Sequence, residues 1–115
     1  MARKNVLPAF LMFDAADLSD NATSHVVNVQ NMDKASIHLS WAGSSPVGTV
    51  AVQARNGSTD GWYNLDMGGT ISISGAGDHQ LIFNELPFTD IRLIYSRSSG
   101  SGSMDASITL KQVGG

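Results

Sequence analysis

Residues 35–55 read Ala35-Ser-Ile37-His-Leu39-Ser-Trp41-Ala-Gly43-Ser-Ser-Pro46-Val-Gly48-Thr-Val50-Ala-Val52-Gln-Ala54-Arg55. Ile37, Leu39 and Trp41 alternate with Ser36, His38 and Ser40, and Val50, Val52 and Ala54 alternate with Thr49, Ala51 and Gln53. Successive side chains of a strand point to opposite faces, so a period of two marks a half-buried strand. Pro46, between Gly43 and Gly48, supplies the turn. The run therefore reads as two paired strands around a Pro/Gly turn. Its inward face (Ile37, Leu39, Trp41, Val50, Val52) is core. Its outward face (Ser36, His38, Ser40, Thr49, Ala51, Gln53) is small, polar and uncharged, a surface suited to lying flat against a neighbour.

The same pattern recurs outward from this run. Phe10 to Phe13, Ser24 to Gln30, Trp62 to Leu65, Ile71 to Ile73, Leu81 to Phe83, Ile91 to Tyr95, and Ile108 to Leu110 read as further strands. Asn56-Gly57, Asp60-Gly61, Gly68-Gly69 and Gly75-Ala76-Gly77 supply turns between them, and Pro87 breaks the strand before it. Asp14 to Thr23 reads as a polar turn, and Ser98 to Ser103 as a flexible Ser/Gly loop. Eight or nine short strands about ten residues apart predict an all-β, antiparallel two-sheet sandwich, jelly-roll-like. No connection is long enough for the crossover helix of a parallel unit. Residues 1–115 are expected to form a single β-sandwich domain, with residues 1–9 an extended N-terminal arm.

Bulk composition agrees. The chain has 115 residues, 42% of them hydrophobic and 15% charged. At this length folding removes roughly 65% of the unfolded chain's surface from water, enough for one core. Net charge is −3, and the seven basic residues (Arg3, Lys4, Lys34, Arg55, Arg92, Arg97, Lys111) are scattered. That leaves no basic stripe for nucleic acid. Cysteine is absent, which removes disulfides, thiolate catalysis and zinc–thiolate sites. Arg3 and Lys4 before the apolar residues 6–13 resemble the start of a signal peptide. That run is eight residues long and holds Pro8, and it reads as an arm entering a first strand. No stretch approaches the roughly 20 apolar residues of a membrane helix.

Catalytic patterns are missing. His25, His38 and His79 are 13 and 41 residues apart on different strands, without metal-ligand spacing. Asp14, Asp17 and Asp20 lack the alternate-residue ligands, central Gly and terminal Glu of a calcium loop. A looser cation site built on two of them remains open. Gly43-Ser44-Ser45-Pro46 does not fit a nucleophile elbow, and no phosphate loop occurs. An enzyme would need distant residues, such as Asp78, His79 and Glu85, to meet in space, since local spacing shows no convergent acid–base groups. Sequons at Asn21 and Asn56 read as turn residues. No catalytic residue, metal or cofactor is expected.

The residues that stand out are surface aromatics and arginines. Trp41, Phe83 and Tyr95 share faces with Ile or Leu and belong to the core. Trp62 and Tyr63 are adjacent, so one of them should face outward as part of a contact surface. Arg92 falls on the face opposite Leu93 and Tyr95, in reach of a carboxylate on a neighbour, and Arg97 lies at the end of the same strand. Trp62, Tyr63, Arg92 and Arg97 are the candidate contact residues.

The order of motifs is also familiar. Ile37-His-Leu-Ser-Trp41, Pro46-Val-Gly-Thr-Val-Ala-Val52 and Asn56-Gly-Ser-Thr-Asp-Gly-Trp62 are followed by Leu86-Pro-Phe-Thr-Asp-Ile-Arg-Leu-Ile-Tyr95 and Ser98-Ser-Gly-Ser-Gly-Ser103. Over residues 35–111 this series resembles small virion structural proteins of tailed bacteriophages. The resemblance implies a non-enzymatic β-sandwich or jelly roll in the virion, as a head decoration or tail-associated component. An assembly role of this kind predicts homo-oligomers and a capsid or tail protein as partner, while the scattered basic residues and the missing long apolar run leave no nucleic acid or membrane among the expected partners. The alternative is a small carbohydrate-binding module, with Trp62 or Tyr63 as the platform for a glycan.

Overall fold

The computed structural model describes residues 5–6, 10–30, 32–57, 59, 61–65 and 71–112. Among these there are eleven strand segments and no helix: β1 (Asn5–Val6), β2 (Phe10–Asp17), β3 (Ala22–Thr23), β4 (Val27–Asn28), β5 (Lys34–Ala42), β6 (Val47–Arg55), β7 (Tyr63–Asn64), β8 (Ile71–Ser74), β9 (Gly77–Phe83), β10 (Asp90–Ser99) and β11 (Ser103–Gln112). The turns expected at Asp60 and at Gly68-Gly69 fall outside the described residues.

One sheet runs β1/β2, β11, β5, β9, and the other β3/β4, β10, β6, β7/β8. Every pairing is antiparallel. β1 and β2 pair with the same strand, as do β3 and β4, and β7 and β8. Counting each such couple as one broken strand leaves eight positions, ordered 1-8-3-6 against 2-7-4-5. That is the double Greek key of a jelly roll, so the expected fold class holds. Asn5–Val6, within the stretch read as an arm, pairs with Lys111 and Gln112 of β11.

The decisive run needs a correction. β5 pairs with β11 and β9, while β6 pairs with β10, β7 and β8. The two strands are therefore not partners: they lie in opposite sheets, and residues 43–46 carry the chain across the sandwich. Alternation specifies which face of a strand is buried but not which strand lies beside it. The inward faces do meet in the core, with Ile37, Leu39, Trp41, Val50, Val52 and Ala54 all buried. The outward face splits in two. Ser36, His38 and Ser40 lie on one outer surface of the molecule, and Thr49, Ala51 and Gln53 on the other.

Two polar stretches are more ordered than their composition suggests. Within residues 14–23, β2 continues to Asp17 and β3 follows. Ala15 takes a positive φ of 51°, the register with β11 shifts, and Leu18 is fully buried. A bulged edge strand keeps its ladder while turning polar side chains outward, which hides the alternation. The expected loop at 98–103 shrinks to residues 100–102. A Cβ on Gly100 (φ 76°) would lie 2.0 Å from the Ser45 carbonyl oxygen, and one on Gly102 2.3 Å from that of Ala42. These glycines allow close approach of two turns, which Ser101 N–H donating to Ser44 O at 3.3 Å also ties together.

Tyr95 sits at the centre of the core, fully buried, its hydroxyl donating to Val47 O at 3.3 Å. Burial disfavours the phenolate and raises its pKa, a shift only partly opposed by Arg97. A raised folded-state pKa gives stability that is complete below the unfolded value and is lost as pH rises above about 10. In alkaline denaturation series, Tyr95→Phe should flatten that loss relative to the parent. At neutral pH it should cost only about 1 kcal/mol for the hydroxyl's bond. Equal alkaline slopes would refute the assignment.

Candidate contact surface

Strand parity builds this surface. On β10, Ile91, Leu93 and Tyr95 point inward and are fully buried, so Asp90, Arg92 and Ile94 point outward. Cross-strand register sets Asp90 beside Arg55 and Arg92 beside Gln53, and Gln53 beside Asn64 of β7. Trp62, two residues before Asn64, shares its face.

These side chains form one continuous network. Arg55 Nε donates to Asp90 Oδ2 at 2.9 Å. Asp90 is 7% exposed and also accepts from Asn28 Nδ2 at 3.4 Å. Arg92 Nε donates to Gln53 Oε1 at 2.9 Å, and Gln53 Nε2 to Asn64 Oδ1 at 2.9 Å. Both guanidinium groups lie over the Trp62 ring, with Cζ 4.1 Å from its centroid for Arg92 and 4.5 Å for Arg55. Each such contact contributes about 0.5–2 kcal/mol, more as it is desolvated. The carboxylate of Asp90 pairs with Arg55 alone, and among the described residues Arg92 has no acidic partner.

Of the four candidate residues, the structure brings Trp62 and Arg92 together. Tyr63 pairs with Ala54, on the opposite side of the sheet, where its edge position leaves it 40% exposed. Arg97 is five residues along β10 from Arg92, about 17 Å in an extended strand. Its Nε donates to Gly100 O at 3.0 Å, which holds the β10–β11 turn. Sequence reasoning missed Arg55, Asp90, Gln53 and Asn64 as members of this cluster. Arg55 continues the outward parity of Thr49, Ala51 and Gln53, but its partner Asp90 lies 35 residues away and only strand pairing reveals it.

The other candidates do not assemble. Asp17 accepts from Ser19 Oγ at 2.6 Å and Ser19 N–H at 2.9 Å, and these bonds lower its pKa as a turn-stabilising group. Asp20 accepts from Asn21 N–H. Among the described residues no three His, Cys, Asp or Glu side chains group to hold a metal. Asp78 and His79 are neighbours on β9 facing opposite ways, paired with Ser40 and Leu39, so they do not converge with Glu85. No described helix is long and apolar enough to cross a membrane.

A jelly roll with an apolar interior and an arginine–tryptophan network on one outer sheet is the class of protein that fold and surface define. Comparison with known proteins adds detail at the level of fold. No family model and no curated protein matches the sequence. Among solved structures, the SPBc2 prophage-derived protein YomS superposes with a TM-score of 0.64 at 10% identity, covering 95% of this chain and 96% of that one. A chain of infectious bursal disease virus, Gx strain, gives 0.60 at 17% identity, with 99% of this chain covering 34% of that one. A chain of Bacillus endospore appendages, described as disulfide-linked pili, gives 0.52 at 14% identity, covering 96% and 92%.

Proposed function

We propose that this chain is a non-enzymatic structural component of a bacteriophage virion, a head decoration or tail-associated protein that works by packing against neighbours. The observation that carries this reading is where polar order resides. Among the described residues no three His, Asp or Glu side chains group together, while the outer face of one sheet holds an Arg55–Asp90 ion pair and an Arg92–Gln53 bond joined across the Trp62 ring, with no described acid bonded to Arg92. Interfaces are rich in arginine and tryptophan, and such residues dominate binding energy when packed and preordered. The prophage, virus and pilus origins of the similar folds support an assembly role. With no cysteine in these 115 residues, joining copies by disulfides is not open to them.

Mass spectrometry of gradient-purified virions from the phage encoding this chain is the direct test. The chain should be present at a fixed stoichiometry to a head or tail protein, and should co-sediment when added to particles lacking it. Its absence from intact particles would end the proposal. Tyr63, 40% exposed, favours the glycan-binding reading as the second possibility. A glycan array with hits abolished by Tyr63→Ala would support it.

A further inference from the structure

The sequence holds one Asn-Gly pair, Asn56-Gly57, in the turn that leaves β6. Glycine has no side chain to shield its nitrogen or limit its backbone, so the Gly57 nitrogen is able to attack the side-chain amide carbon of Asn56. Asn56 is exposed, and Gly57 has a φ of 90°. No atom of the described residues lies within 4 Å of a Cβ built on Gly57. Solvent therefore reaches the reacting atoms.

The bonds around the pair oppose this reaction. Gly57 N–H donates to Thr89 Oγ1 at 2.7 Å. The Thr89 hydroxyl sends its own proton to Arg55 O at 3.2 Å or to Asp90 Oδ2 at 3.5 Å, so toward Gly57 it acts only as an acceptor. An acceptor stabilises the N–H form, and that form must lose its proton before the nitrogen attacks. Thr89 N–H also donates to Arg55 O at 3.1 Å. Asn56 is thus clamped between two backbone groups bonded to Thr89, the Arg55 carbonyl before it and the Gly57 N–H after it. That clamp limits the rotation that ring closure needs.

We propose that Asn56 is a self-modification site and that Thr89 holds it latent in the folded state, a property of the chain that does not depend on a virion role. The Gly57 nitrogen bonds to Asn56 Cγ as the Cγ–Nδ2 bond breaks. The side-chain nitrogen leaves as ammonia, carrying the proton that Gly57 gives up. Water then opens the resulting succinimide at either carbonyl. The products are aspartate, or isoaspartate with the main chain routed through the former side chain. Either adds a negative charge to a chain of net charge −3, directly after Arg55 and six residues before Trp62 of the contact surface.

Incubation of the full chain at mildly alkaline pH, with peptide mapping that separates the two products, is the test. In concentrated urea the Asn56 peptide should deamidate faster than that of any other asparagine. In the folded parent it should react at least about tenfold more slowly than in urea. Thr89→Val should speed the folded chain's reaction by about three- to tenfold, the factor one hydrogen bond is worth, and Thr89→Ser should keep it slow. Tyr95→Phe loses a hydrogen bond elsewhere and should leave the rate at the parent's, which separates loss of the clamp from loss of stability. A Thr89→Val chain that reacts like the parent, or a Tyr95→Phe chain accelerated as much as Thr89→Val, overturns the inference. So does a parent that reacts as fast folded as in urea, even should Thr89→Val fold poorly.

Discussion

Gly48→Ala is expected to destabilise the protein by about 3 kcal/mol or more, and larger side chains at this position to prevent folding. A Cβ built there lies 2.4 Å from the Ser96 carbonyl oxygen, 2.7 Å from the Tyr95 hydroxyl and 2.8 Å from a Tyr95 ring carbon. The Tyr95 ring cannot withdraw, because it is fully buried. Ser96 cannot either, because it is backbone in the ladder paired with Thr49. Native stabilities for a chain of this size are about 6–17 kcal/mol, so the loss is a large share of the total. Gly61→Ala is the matched control. No atom of the described residues lies within 4 Å of a Cβ there, and its φ is not in the left-handed region. That change should be neutral, or stabilising by up to about 1 kcal/mol through reduced freedom of the unfolded chain. Urea denaturation of the two variants beside the parent decides the matter, and similar midpoints for both would contradict the packing described around Tyr95.

The second large effect belongs to Asp90→Ala. Its carboxylate is the one acidic group in the surface network, with a side chain 10% exposed against 22% for Arg55. Removing it leaves the mostly buried Arg55 guanidinium with no counter-charge among the described residues, and takes away the acceptor of Asn28. Breaking a buried pair in this way costs about 3–5 kcal/mol, and the partial exposure of Arg55 places this case near 3. Arg92→Met, which gives up one bond to Gln53 and a ring contact but no ion pair, should cost nearer 1 kcal/mol. A double-mutant cycle of Asp90→Ala with Arg55→Met should return a coupling of about 1.5–3 kcal/mol, as for residues in one network. Equal costs for Asp90→Ala and Arg92→Met would mean that the ion pair is not the network's anchor.

Much of the fold was legible because burial in a sandwich is written with a period of two. Ile37, Leu39, Trp41, Val50, Val52, Leu93 and Tyr95 were all readable as core, and all are buried. His38 was readable as solvent-facing, and its side chain is 52% exposed. Bulges hid what was less legible. β2 past Phe13 breaks its alternation at Ala15, and the glycines at 100 and 102 look like slack yet seat one turn against another. The surface site was half legible. Outward parity picked out Arg92, and adjacency picked out the Trp62–Tyr63 pair. The order of exposure was not readable. Trp62 lies on the outer face but is covered by two arginines, whereas Tyr63, on the inner side of an edge strand, is the more open.

Residues 35–55 mark the boundary between the two kinds of information. By itself their sequence determined two strands, a turn, and which side chain of each pair is buried, because alternation and turn chemistry are local. Only the tertiary structure decided that the turn crosses the sandwich, that β5 and β6 face each other through the core, and that their polar sides look out in opposite directions. Strand partners are chosen by register with β10 and β11, up to about 75 residues away, and by glycines that let distant turns touch. For that reason one apparent flat face became two.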